Sequence, residues 1–167
     1  MNWIKGLMLF LAGLVVGTVL MQANAAQQTM NTGMRIHHVG IAVKDRQQAV
    51  DYFTKVLGYR VAFNFPPDKD GKINTTFVQV SRDTFLEVGQ ASGDVKPGTI
   101  THIGIKTEDQ KAVISKVRQA GGEATDSRPS GNTASNLANV TAIDGIRFEL
   151  VEYTPNSLHK KAEDTWK

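Results

Sequence analysis

Between Arg35 and Val43 the apolar residues Val39, Ile41 and Val43 alternate with His38, Gly40 and Ala42. This period of two marks a strand with its β-branched residues on one face. The period then lengthens. Ala49, Tyr52, Phe53, Val56 and Leu57 recur at helical spacing, framed by Asp45 as N-cap, Gln48 three residues on, and Gly58 at the end. Strand signals return over Tyr59 to Phe65, Asn74 to Val80 and Thr84 to Val88, with a Pro66 to Gly71 turn after the first. Gln90 to Gly98, bearing glycines and a proline, reads as a linker, after which the order repeats. A strand from Thr101 to Lys106 leads to a helix starting near Thr107 to Asp109, with Ala112, Val113, Val117 and Ala120 inward and Gly121-Gly122 ending it. A polar loop over Asp126 to Ser135 precedes strands at Asn136 to Ile143 and Ile146 to Tyr153. The expected class is α+β: two tandem βαβββ modules, residues 35–90 and 100–153, whose curved mixed sheets enclose a cavity.

The modules also share chemistry. His38-Val39-Gly40-Ile41 returns as His102-Ile103-Gly104-Ile105, and each histidine is answered by a strand carboxylate, Glu87 in Phe85-Leu86-Glu87-Val88 and Glu149 in Phe148-Glu149-Leu150-Val151. A lone strand histidine is ordinarily structural, and a lone strand glutamate ordinarily faces water. Two His…Glu pairs in register, each histidine on its module's first strand and each glutamate on its last, point instead to one shared metal site. Buried carboxylates need a counter-charge, and a cation is the simplest. Two imidazoles and two carboxylates suit zinc, nickel, manganese, cobalt or ferrous iron without choosing among them.

Composition narrows the classes. The chain has 167 residues, 41% of them hydrophobic, enough for one core of ordinary size. Its formal charge of +3 is scattered, with no basic run or stripe, so nucleic acid is not expected as a partner. The absence of cysteine removes disulfides, thiolate ligands and a cysteine nucleophile together. At the N-terminus one lysine, Lys5, precedes an uncharged stretch from Gly6 to Met21 and the small residues Ala23-Asn24-Ala25. We expect residues 1–25 to be a secretory signal, 26–34 a polar linker and 154–167 a polar tail, with the domain exported, in the periplasm. Without cleavage the same segment would anchor the domain to the membrane, still outside the cytoplasm.

From Arg35 to Tyr153 the chain resembles the vicinal oxygen chelate superfamily, which includes glyoxalase I, methylmalonyl-CoA epimerase, extradiol dioxygenases and the fosfomycin and bleomycin resistance proteins. The likeness rests on His38 to Asp45, Tyr52-Phe53 and Leu57-Gly58-Tyr59, Leu86-Glu87-Val88, His102 to Ile105, and Asp144 to Tyr153. It implies one divalent ion held by His38, Glu87, His102 and Glu149, with open positions for a small bidentate oxygen substrate. It further implies lyase or isomerase chemistry through a metal-stabilised enediolate, with Glu149 or Glu87 as base. A homodimer is expected, the site lying within one chain or shared between two. The alternatives are an extradiol dioxygenase using ferrous iron, and a binding protein of the same fold without turnover. Glu87 weighs against the first, because it would fill a position that oxygen needs, and the complete ligand set weighs against the second. Export argues against the familiar glutathione and coenzyme A substrates.

Other polar residues are read more plainly. His37 should face away from His38 and be structural or exposed, His159 should lie on a solvated tail, and Glu152 alternates away from Glu149. Arg128, in the long loop, is a candidate clamp for a substrate carboxylate or phosphate.

Overall fold

The computed structural model describes residues 33–167; the expected signal and most of the linker lie outside them. Among the described residues no helix is long and apolar enough to cross a membrane. Strand β1 (Arg35–Val43) is followed by helix α1 (Arg46–Lys55), then β2 (Arg60–Asn64), β3 (Thr75–Ser81) and β4 (Thr84–Gln90). The second module runs β5 (Ile100–Lys106), α2 (Gln110–Gln119), the two-residue strands β6 (Glu123–Ala124) and β7 (Arg128–Pro129), β8 (Asn136–Thr141) and β9 (Arg147–Glu152). The loop expected at 126–135 thus contains a short strand, β7, paired with β8. One mixed sheet results, in the order β2-β3-β4-β1-β5-β9-β8-β6.

The module seam is antiparallel, β1 against β5, and on either side the first strand of a module pairs in parallel with its last, β1 with β4 and β5 with β9. Each helix covers the outer face of its own module. Asp45 caps α1 by accepting from Gln48 N at 2.9 Å, and Asp109 caps α2 from Ala112 N at the same distance. Val50, with Ala49 and Phe53, packs on Ile41, Val43, Val78 and Val88, while Val113, Ile114 and Val117 pack on Ala138, Val140 and Leu150. Tyr52, Val56 and Leu57, expected inward, are exposed, as are Ala112 and Ala120; the inner stripe of each helix is narrower than its apolar periodicity suggested. Gly58 ends α1 at φ +72, a conformation open to glycine, and Tyr59 N reaches back to Phe53 O.

The C-terminal segment corrects the sequence reading. It is not a solvated tail: Ser157 caps a helix, α3 (Leu158–Asp164), that lies against β2 and places Ala162 among Phe77 and Phe85. His159 on its inner face is 1% exposed and ringed by Phe63, Phe77, Phe85, Tyr153 and His37.

Candidate metal centre

Four neighbouring strands each contribute one donor: Glu87 from β4, His38 from β1, His102 from β5 and Glu149 from β9. A flat sheet would hold its first and fourth strands about 14 Å apart. Yet one ligand atom from each of these residues lies within 4.8 Å of the others, so the sheet curls around the site.

Register explains why the motif is His-x-Gly. Gly40 lies between Glu87 and His102 across the sheet, and Gly104 between His38 and Glu149. Each imidazole covers the glycine of the opposite module. A Cβ on Gly40 would meet the His102 ring at 2.3 Å, and one on Gly104 would meet His38 Nδ1 at 2.0 Å. The space beside His38 that the sequence assigned to metal and substrate is thus partly filled, at Gly40, by the other histidine.

The donor distances, 2.8 to 4.0 Å, straddle the spacing that donors around one ion adopt. His38 Nε2 lies 2.8 Å from His102 Nε2, 3.5 Å from Glu87 Oε2 and 3.6 Å from Glu149 Oε2; His102 Nε2 lies 3.3 and 4.0 Å from the same carboxylates. Donors about 2.1 Å from a common ion sit roughly 3.0–3.4 Å from their neighbours. The electrostatics agree. Burial, with His102 and His159 nearby, holds the His38 imidazole well below its ordinary range, which favours the neutral form that a metal ligand would need. Burial and the Glu87 charge push Glu149 up, and a cation between the two carboxylates would offset both effects.

A cleft of about 230 Å³ opens onto Glu87 and His102, lined also by Ala42, Thr101 and Arg147. Arg147, which the sequence reading passed over, places its guanidinium 3.1 Å from His102 Nδ1, and Thr101 Oγ1 lies 3.0 Å from the same atom. Arg128 is exposed on β7, outside the four-residue cluster, although near enough for its charge to lower Glu149. Glu152 faces away, as expected, and accepts from Gln110 N at the start of α2 at 2.7 Å.

Two of the plain readings fail here. His37 neither faces solvent nor stands apart from His38: both are fully buried, with their Nδ1 atoms 2.7 Å apart. A register shift in the β1–β5 ladder between Ile36 and His38 breaks the alternation, so consecutive side chains turn inward. His159, buried behind them, finds no hydrogen-bond partner for either ring nitrogen, and burial lowers it to about 3. A serine cap with Leu158 and Ala162 one turn apart was the signal that could have revealed its helix.

Comparison with known proteins matches this description. The sequence model of the Glyoxalase/Bleomycin resistance protein/Dioxygenase superfamily matches residues 37–139. The chain is 28% identical over 134 residues to a lactoylglutathione lyase of Escherichia coli O157:H7, covering 71% of this chain and 93% of that protein. It is 27% identical over 128 residues to a lactoylglutathione lyase of Arabidopsis thaliana, covering 72% of this chain and 45% of that one. The fold is similar to the crystal structure of methylmalonyl-CoA epimerase from Mycobacterium tuberculosis, with TM-score 0.61 and 21% identity over 72% of this chain and 88% of that one. Two modules, each a strand, a helix and further strands, joined at β1 and β5 and giving a histidine and a glutamate each to one cluster, are thus accompanied by a family match over more than half the sequence, and the chain belongs to the glyoxalase/bleomycin resistance protein/dioxygenase superfamily.

Proposed function

We propose that the chain is a divalent-metal-dependent lyase or isomerase of the glyoxalase type, acting on a small hydroxycarbonyl substrate that offers two oxygens. The carrying observation is the convergence of His38, Glu87, His102 and Glu149, one from each of four adjacent strands, with Glu87 and His102 lining a cleft. These residues would hold the ion, whose bound form supplies Lewis-acid stabilisation of negative charge on a substrate oxygen. The protein's own part is to orient the substrate and move a proton. Glu87 and Glu149 both border the centre, and either can take a proton from the carbon next to the carbonyl and return it to a neighbouring atom. Arg147 stands at the cleft to meet an anionic substituent, and the walls from Ile41 to Ala42 and from Gly89 to Val95 bound the space left for the remainder.

The relatives named for lactoylglutathione support lyase chemistry, and the N-terminal sequence supports a site of action outside the cytoplasm. On this reading the enzyme is an exported homodimer handling a small substrate. Protein loaded in turn with zinc, nickel, manganese, cobalt and ferrous iron, then offered hydroxycarbonyl compounds, hemithioacetals and catechols, tests it. Rearrangement or cleavage of a hydroxycarbonyl or hemithioacetal, abolished by Glu149→Gln, is expected. Oxygen uptake with catechols under iron alone would move the chain to the dioxygenases.

A further inference from the structure

Behind His38, away from the metal centre, a line of polar groups leads to the C-terminal helix. His38 Nδ1 lies 2.7 Å from His37 Nδ1, and His37 Nε2 lies 2.8 Å from Tyr153 Oη. The Tyr153 hydroxyl donates to Glu163 Oε1 at 2.6 Å. Lys106 Nζ pairs with Glu163 at 3.3 Å and sits 3.7 Å over the Tyr153 ring. The direction of this line is set from its far end. A carboxylate only accepts, so the Tyr153 hydrogen points at Glu163 and its lone pairs face His37. His37 Nε2 is then the donor, and a neutral imidazole has one N–H, so His37 Nδ1 accepts. His38 Nδ1 must carry the hydrogen, which leaves the lone pair on Nε2, the atom facing His102, Glu87 and Glu149.

We propose that Tyr153 and Glu163, acting through His37, are positioning residues that fix the tautomer of His38 and aim its Nε2 lone pair at the metal. This inference rests on the four-residue cluster being a metal site. The other histidine is set differently. The Arg147 guanidinium, a donor only, faces His102 Nδ1, so His102 Nε2 carries the hydrogen and donates it to His38 Nε2 at 2.8 Å. Ligation through His102 Nε2 requires the opposite tautomer, with Nδ1–H turned to Thr101 Oγ1 at 3.0 Å and Arg147 released toward the cleft. His38 is thus the preset ligand and His102 the one that changes. The device depends on α3, because Glu163 comes from that helix.

The chain has four histidines, so long-range ¹H–¹⁵N correlation on the full-length, ¹⁵N-histidine-labelled protein can report each ring's tautomer. Without metal at neutral pH, His38 is expected with its hydrogen on Nδ1 and His102 with its hydrogen on Nε2. A dominant His38 Nε2–H form overturns the proposal. In parallel, zinc affinity is measured by chelator competition, with circular dichroism verifying the fold. Tyr153→Phe, which leaves His37 Nε2 without its acceptor, should weaken zinc binding about 10- to 100-fold, with a smaller loss for Glu163→Gln, which keeps an acceptor but not the charge. Affinities within twofold of wild type in both variants overturn the proposal. Should Tyr153→Phe not fold, Glu163→Gln and the wild-type tautomer decide the matter. A wild-type chain that binds no zinc overturns the metal reading and the positioning role with it, whereas a zinc-binding chain with the wrong His38 tautomer overturns the relay alone.

Discussion

At the residue scale the site depends on what is missing from Gly40 and Gly104 as much as on the four donors. Each glycine leaves room for an imidazole from the opposite module, and a methyl group at Gly104 would stand 2.0 Å from His38 Nδ1. Backbone on both sides of Gly104 is paired, so His38 must move instead. Gly104→Ala should therefore reduce metal affinity by at least about tenfold and lower the melting temperature, an overpacking cost of roughly 1–3 kcal/mol. Gly131→Ala, at a glycine with open space around it, should change neither. Zinc titration and thermal melts of the two variants check this. The donors themselves were legible in the sequence because duplication printed them twice. Their support was not: His37 lies one residue from a candidate ligand, and period-two alternation sends it to the wrong face wherever a strand changes register. Arg147 went unseen because its partner, His102 Nδ1, lies on another strand 45 residues away.

At the element scale the first strand, both helices and the Asp45 cap were readable, since period and capping chemistry are local. The C-terminal helix was not. It is seven residues long and mostly polar on the outside, and its apolar side has meaning only against β2 and the aromatic cluster that it covers. That helix carries a pH liability. His159 is buried without partners, and its folded value of about 3 lies below the ordinary 6.5. Above pH 6.5 both folded and unfolded forms are neutral there and stability is full. As pH falls through 6.5 the unfolded chain takes up the proton first, so stability declines toward pH 3, by at most about 1.4 kcal/mol per pH unit from this group. Urea unfolding between pH 7 and pH 4 should show a flatter profile for His159→Leu than for wild type. His37 and His38 contribute slopes of their own and are coupled to His159, so the difference between the two profiles reports His159 together with its effect on them.

At the scale of the whole domain, the centre forms only when the two modules are joined along β1 and β5, because each supplies half of the donors. Metal binding and folding are therefore linked, and saturating zinc at 100 times its dissociation constant should stabilise the folded chain by about 2.7 kcal/mol. A melting temperature that rises with zinc, falls back with chelator and is indifferent to both in His102→Ala would express that linkage. The fold class was visible from two repeated pattern units, but the curl that brings four strands' side chains to one point belongs to the assembled sheet and to no segment of it. The most direct test is the metal content of full-length protein titrated with zinc, cobalt or nickel and freed of excess ion. One ion per chain, lost in both His38→Ala and Glu149→Ala while the fold is retained, is the predicted result. A wild-type chain that retains no ion, or a His38→Ala variant that retains it fully, would contradict the shared four-residue centre.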